Sequence, residues 1–208
     1  MKLLFKCKEY IGWCARNCFP ANQREFNMRI KHVKNDNYLD ENYSAPYLHI
    51  RKPYTSNCCY LNSSEMLINF CSTHRALGRI KQPFTCCDPE FYIYDDSEAE
   101  RFIIKADCCQ CGLFCANNFC GKLSEVYFNI YNFRDRVASC GQIIKKGATC
   151  RELVTSAESY EIIFPNDASP KDKLLLIITG LFIDYQFFEE SASSGKNSFN
   201  NNNHYRNY

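Results

Sequence analysis

Fifteen cysteines stand in a chain of 208 residues, and they are the residues whose type and spacing come nearest to a chemical site. Cys108 and Cys109, then Cys111 and Cys115, with Cys120 beyond, offer enough thiolates at short spacing for tetrahedral zinc. The spacing fits no standard zinc knuckle, and no second C-x-x-C pair stands at a suitable distance. Buried small hydrophobes and acylated thiols are the other uses open to so many cysteines in a reducing compartment. The four histidines fall in no ligand or dyad pattern. G-x-S-x-G, H-E-x-x-H and the phosphate-binding P-loop are all absent from the sequence, so no covalent chemistry is expected. Lys145, Lys146 and Arg151 form a short basic segment suited to anionic headgroups at about 1 kcal/mol each, or equally to a solvated strand end. A net charge of +2 excludes a bulk nucleic-acid-binding surface.

Residues 171–190 must be accommodated by everything else. From Leu174 to Phe188 only Thr179, Gly180, Asp184 and Gln186 interrupt the apolar run. A helix apolar on all sides is buried in protein or in lipid. Ser169 supplies a cap, Pro170 suits the first helical position, and Asp172 falls three residues after the cap at the positive end of the dipole. The apolar run reaches about 22 Å, short of the roughly 30 Å of bilayer hydrocarbon. Asp184 adds a cost of about 2.5–3.5 kcal/mol to membrane insertion. A protein-wrapped helix is therefore expected, with Asp184 facing a polar partner, and a single membrane span is the alternative.

Short alternating runs supply the wrapper. Residues 26–32, 47–51, 66–70, 78–81, 91–94, 101–105, 125–131, 141–145 and 160–164 read as strands, separated by turn-forming residues. Some nine strands followed by one apolar helix describe an α+β domain in which a curved antiparallel sheet closes around the helix. With 46% hydrophobic and 15% aromatic residues the chain can fill such a core. No internal repeat is evident, and MKLLFK lacks the apolar stretch of a signal peptide. One domain over 1–190 is expected, with the Asn-rich residues 191–208 as a disordered tail.

Five stretches carry a family resemblance: RKPYTSNCCYLNSSEMLI, GRIKQPFTCCDPEFYIY, GQIIKKGATCREL, YEIIFPND and LLLIITGLFIDYQFFEE. In order and near-spacing they are similar to landmarks of the phospholipid scramblase family. Phe164-Pro165 followed by Phe182-Ile183-Asp184 and Phe187-Phe188-Glu189 is the most specific part, supported by Gly78, Cys87, Pro89 and Phe91, and by Cys14 to Cys18 leading into Phe26 and Arg29-Ile30. The resemblance spans about residues 7–190. It implies a tubby-like fold, a closed antiparallel β-barrel of twelve strands around a C-terminal helix. Because it begins several strands into the family's pattern, a shortened copy with an incomplete barrel is expected.

The resemblance also implies an activity: ATP-independent, Ca²⁺-stimulated, bidirectional movement of phospholipids across a bilayer, at the cytosolic face of the plasma membrane. The partners are then membrane phospholipids. Calcium would be the cofactor, held by the segment containing Ser156, Glu158, Tyr160, Ile162 and Asp167. Here Ser156 replaces an acidic residue, Tyr160 is a poor ligand, and Ile162 offers only its carbonyl, so weak binding is expected. Cys58 and Cys59 match the first pair of the family's palmitoylated cysteines, which would make the chain a lipoprotein, while Asn62 and Ser63 stand where the second pair falls. The resemblance also implies that the basic segment of Lys145, Lys146 and Arg151 could serve as the nuclear-import signal read there in some members of the family. Two other functions fit the same residues. One is a membrane-tethered lipid-binding adaptor without scrambling activity, and the other is a degenerate, truncated paralogue.

Overall fold

The computed structural model describes residues 5–10, 23–32, 46–55, 63–85, 88–114, 125–147 and 159–188. Ten strands follow in chain order: β1 (Phe5–Glu9), β2 (Phe26–His32), β3 (Pro46–Lys52), β4 (Ser64–Phe70), β5 (Ala76–Gln82), β6 (Glu90–Asp95), β7 (Glu100–Ala106), β8 (Val126–Asn132), β9 (Ser139–Lys145) and β10 (Tyr160–Ile163). A short helix, α1 (Cys111–Phe114), lies between β7 and β8, and α2 (Pro170–Phe187) ends the described chain. Every strand pairs antiparallel with its sequence neighbour, so the spatial order is the chain order. The nine expected strands are all present. Only β1 is added, an edge strand whose FKCKE sequence carries three charges.

Alternation decides which side chains enter the core. On β3 Leu48 and Ile50, on β4 Met66 and Ile68, on β6 Phe91 and Ile93, and on β8 Phe128 and Ile130 are all fully buried, while the residues between them reach solvent to some degree. A flat sheet with this pattern has nothing to curl around. Register shifts follow Ile30, Ile68, Ile93 and Ile130, one at the same end of each of four alternate hairpins. Each such irregularity bends its strand and raises the local twist, which curls the sheet toward its apolar face.

The helix fills that concavity. Leu175, Leu176, Ile178, Phe182 and Ile183 are fully buried. Phe182 meets Phe91 edge-on with ring centroids 5.6 Å apart, and Phe187 lies 6.1 Å from Phe91 and 6.5 Å from Phe128. Gly78 of β5 permits the closest approach. A methyl group there would collide with the Tyr94 carbonyl of β6 and stand 3.2 Å from Leu175 of the helix.

The N-terminus of the helix is fixed by the capping box that its sequence announces. Ser169 Oγ accepts from Asp172 N–H at 3.2 Å, and the Asp172 carboxylate accepts from Ser169 N–H at 3.0 Å. Arg101 of β7 then donates to both Asp172 oxygens, at 3.2 and 3.0 Å. Burial pulls the Asp172 pKa up, but the bonds from Arg101 and Ser169 outweigh it and hold the carboxyl below the usual range. Lys171 bonds to Asp96 at 2.9 Å in the β6–β7 turn, so one end of the helix is stitched to one hairpin.

Two expectations are thereby refined. The helix spans Pro170–Phe187 instead of 171–190, with Phe188 as C-cap and its N–H bonded to the Asp184 carbonyl. The sheet does not close among the described residues, since β1 and β10 each have one strand neighbour. No helix among the described residues is long and apolar enough to cross a membrane, and α2 is packed against strands.

Candidate functional site

The chemistry of the molecule gathers around the last turn of α2, where the peptide carbonyls present the negative end of the helix dipole. The helix itself has no basic residue in that turn. The sheet supplies the cations instead: Arg24 just before β2, Lys52 at the end of β3 and Lys145 at the end of β9 are all buried. Lys52 has no exposed surface at all, because it occupies the inward position that follows Leu48 and Ile50 in the β3 alternation.

Tyr185 organises two of the three. Arg24 Nε donates to its hydroxyl at 2.9 Å, and Phe26 packs on its ring at 4.5 Å between centroids. The Lys52 ammonium sits 5.7 Å from the same ring centroid and donates to the Arg24 carbonyl at 3.0 Å. Burial, reinforced by the adjacent Arg24 charge, lowers the Lys52 pKa from 10.5 to about 8. Lys145 stands over Phe188 at 4.3 Å from its ring centroid. The result is a cage of cations and aromatic faces at the helix C-terminus. It can neutralise and orient negative charge, but it presents no nucleophile paired with a base.

The residues proposed from sequence fall into three groups. Asp184 is half-buried and accepts from the Tyr160 hydroxyl at 2.8 Å, which meets the expectation of a polar partner. Tyr160 and Ile162 both turn inward from β10, Ile162 against Gly180 of the helix. Asp167 is exposed in the turn before α2. Of the calcium set, then, Tyr160 has its hydroxyl committed to Asp184 and Ile162 lies on the helix, while Ser156 and Glu158 lie outside the described residues.

The basic segment divides. Lys145 is turned into the protein, Lys146 pairs with Glu161 at 2.6 Å, and Arg151 is outside the described residues. Cys58 and Cys59 are outside them too, as are Cys115 and Cys120. Of the zinc candidates, Cys108 and Cys109 cluster with Asp107, their ligand atoms within 4.8 Å of one another. Hydrogen bonding to Asp88, then to Cys109, pushes the Cys108 thiol up to about 12, so it stays protonated at neutral pH. A protonated thiol is a poor nucleophile.

The cage residues Arg24, Lys52 and Tyr185 were not expected from sequence. One signal was available for Lys52: a 48, 50, 52 alternation places it on the core face.

The comparisons with known proteins agree with this architecture. A family model described as Scramblase matches residues 2–190. Among curated proteins, the chain is 24% identical over 190 residues to "Phospholipid scramblase 2" of Homo sapiens, covering 90% of this chain and 57% of that protein. It is 27% identical over 188 residues to "Phospholipid scramblase 1" of Homo sapiens, covering 89% and 52%, and 24% identical over 187 residues to "Phospholipid scramblase 1" of Mus musculus, covering 89% and 51%. The chain thus spans about half the length of the curated relatives it matches. No solved structure matches it. With nearly the whole chain matched by one family model, and a curled sheet holding an apolar helix, the chain belongs to the Scramblase family.

Proposed function

We propose that this protein is a phospholipid scramblase-like protein of the cytosolic face of the plasma membrane, which moves phospholipids between leaflets in both directions without ATP. The observation that carries this reading is the family match over residues 2–190. The test is reconstitution into vesicles with a fluorescent phospholipid in both leaflets and an impermeant quencher outside. An active protein lets the quencher reach nearly all of the signal, while empty vesicles keep about half of it, as expected from two equal leaflets. Protection of that half at every protein density would refute the reading.

Calcium stimulation is the weaker part of the family pattern here. Tyr160 gives its hydroxyl to Asp184 and Ile162 is packed on Gly180, which leaves carboxylates only at Glu158 and Asp167 of the set. Calorimetry is expected to find no calcium site tighter than about 10⁻⁴ M. A micromolar site that disappears in Glu158→Gln would show the opposite. Attachment to the membrane is assigned to thioesters at Cys58 and Cys59. Hydroxylamine should then release the membrane-bound protein, and an unchanged bound fraction in the Cys58→Ser/Cys59→Ser variant would rule this out.

A second reading, a membrane-tethered lipid-binding adaptor, is favoured by one specific observation. Phe91, Phe128, Phe182 and Phe187 interlock between sheet and helix where a headgroup path through the sheet would run. Vesicle binding without lipid transfer in the same assay would select it.

A further inference from the structure

Two connections at one pole of the sheet bring sulfur and oxygen donors together. Asp88 leads into β6, and β7 runs out into Asp107, Cys108 and Cys109. These strands are antiparallel neighbours, with Glu90 opposite Lys105, so the start of one lies beside the end of the other. Cys108 Sγ and Cys109 Sγ stand 3.9 Å apart, and with a carboxylate oxygen of Asp107 they form a set lying within 4.8 Å of one another. Asp88 reaches the same place from the other connection. Its Oδ1 accepts from Cys108 N–H at 2.9 Å, and its carboxylate lies against the Cys108 thiol.

The scaffold fixes these donors in place. Asp107 Oδ1 accepts from Cys109 N–H at 2.9 Å, so a backbone amide orients each carboxylate, as outer hydrogen bonds orient the carboxylate ligands of metal sites. Gln110 ties the segment to β8. It donates to the Asp107 carbonyl at 3.1 Å and to the Tyr127 carbonyl at 2.9 Å, and accepts from Tyr127 N–H at 2.7 Å. The two sulfurs are not set for a disulfide, because adjacent residues have Cα atoms about 3.8 Å apart and a disulfide spans roughly 4.4–6.8 Å. Two thiolates bound to one tetrahedral ion, each about 2.3 Å from it, stand about 3.8 Å from each other. The 3.9 Å between Cys108 and Cys109 meets that separation.

We infer that Asp88, Asp107, Cys108 and Cys109 form a zinc site that joins the connection before β6 to the connection after β7. Donor chemistry selects the ion. Calcium takes six to eight oxygens and magnesium an octahedral shell rich in water, so neither suits a set that is half sulfur. Copper(I) is drawn to soft sulfur ligands, whereas zinc accepts thiolate and carboxylate in one four-coordinate shell. Two thiolates and two carboxylates also carry the same charge as the four thiolates of a structural zinc site. This set departs from the all-cysteine one suggested by spacing, because Asp88 lies 20 residues before Cys108 and meets it only in the fold. Asp88, Asp107 and Cys109 are exposed and Cys108 is half-buried, so the ion enters directly from solvent. Binding exchanges the two thiol protons for the metal and therefore strengthens as pH rises.

The inference does not rest on lipid transfer and is tested without it. The full chain, reduced and stripped with a chelator, is titrated with zinc chloride against a chromophoric competitor, and with cobalt chloride for the thiolate-to-metal charge-transfer band. Zinc binds the wild type and raises its thermal midpoint. Asp88→Asn and Asp107→Asn keep an acceptor for the backbone amide and so leave the fold intact, while Cys109→Ser removes one sulfur. Each weakens zinc binding roughly tenfold or more, and Cys109→Ser also lowers the cobalt band. Cys71→Ser and Cys140→Ser, at thiols outside the cluster, change neither. A wild type that binds no zinc would overturn the inference, as would zinc binding that survives unweakened in the Cys108→Ser/Cys109→Ser variant. Unweakened binding in either Asp88→Asn or Asp107→Asn would overturn this ligand set and give the metal to cysteines alone.

Discussion

Leu176→Asp is expected to abolish folding, while Ile177→Asp, one residue along the same helix, is expected to leave a folded protein. Leu176 has no exposed surface and lies on the sheet-facing side of the helix. Removing its side chain alone costs about 2–5 kcal/mol. The carboxylate that replaces it must either ionise in the apolar core or take up a proton there, at several kcal/mol more. Together these reach the roughly 5–15 kcal/mol by which a domain is stable. Ile177 already shows 38% of its surface, so its charged replacement keeps access to water and costs about 1 kcal/mol. Far-UV circular dichroism and thermal melting distinguish the two. Equal stability of both variants would mean that the helix does not meet the sheet with the face described.

The contrast between neighbouring residues also marks the limit of what the sequence displays. Residues 171–190 look apolar all round because Leu174, Ile177 and Leu181 are as apolar as Leu175, Leu176 and Ile178. Composition could identify a helix needing burial, but not the side on which the wrapper stays open. The strands were legible wherever apolar and polar residues alternate, as in β2, whose bounds 26–32 coincide with the expectation. FKCKE has only one clear alternation and lies at the sheet edge, so β1 was invisible without its pairing to β2. The four-residue helix Cys111–Phe114 is too short to establish a period and was hidden in a cysteine-rich stretch.

The site was less legible than the fold, for a different reason. The Ser169, Pro170 and Asp172 cap lies within four residues and could be read directly. The bond from Arg24 to Tyr185 joins residues 161 apart, and nothing local in ANQREF marks that arginine as buried. In the sequence Lys145 reads as a headgroup contact or a solvated strand end, because charge usually means exposure. Its aliphatic stem instead lies in the sheet, and its ammonium finds the Phe188 ring. Tyr160 and Asp184 were each noticed from sequence, one as a poor calcium ligand and the other as a charge in need of a partner. Only the fold shows that they are each other's partners.

Lys52 leads to the largest expected pH effect. Its folded pKa of about 8 lies below the ordinary 10.5, so the unfolded chain binds this proton more tightly than the folded protein does. Below pH 8 both states carry the charge, and the fold bears the whole cost of burying it. Between pH 8 and 10.5 the folded protein releases the proton first, so stability from this group rises with pH and levels off above the unfolded value. At about 1.4 kcal/mol per unit, the gain attributable to Lys52 is roughly 3 kcal/mol. Cysteines and tyrosines titrate over the same range, which makes the absolute slope uninformative. The measurement is therefore a difference: urea unfolding of wild type and Lys52→Met from pH 7 to 10.5. Groups common to both proteins cancel, and the wild type should gain roughly 3 kcal/mol on the variant across that window. Parallel pH profiles would mean that the Lys52 ammonium is as well solvated in the folded protein as in the unfolded chain, and that no buried cation cage surrounds the end of the helix.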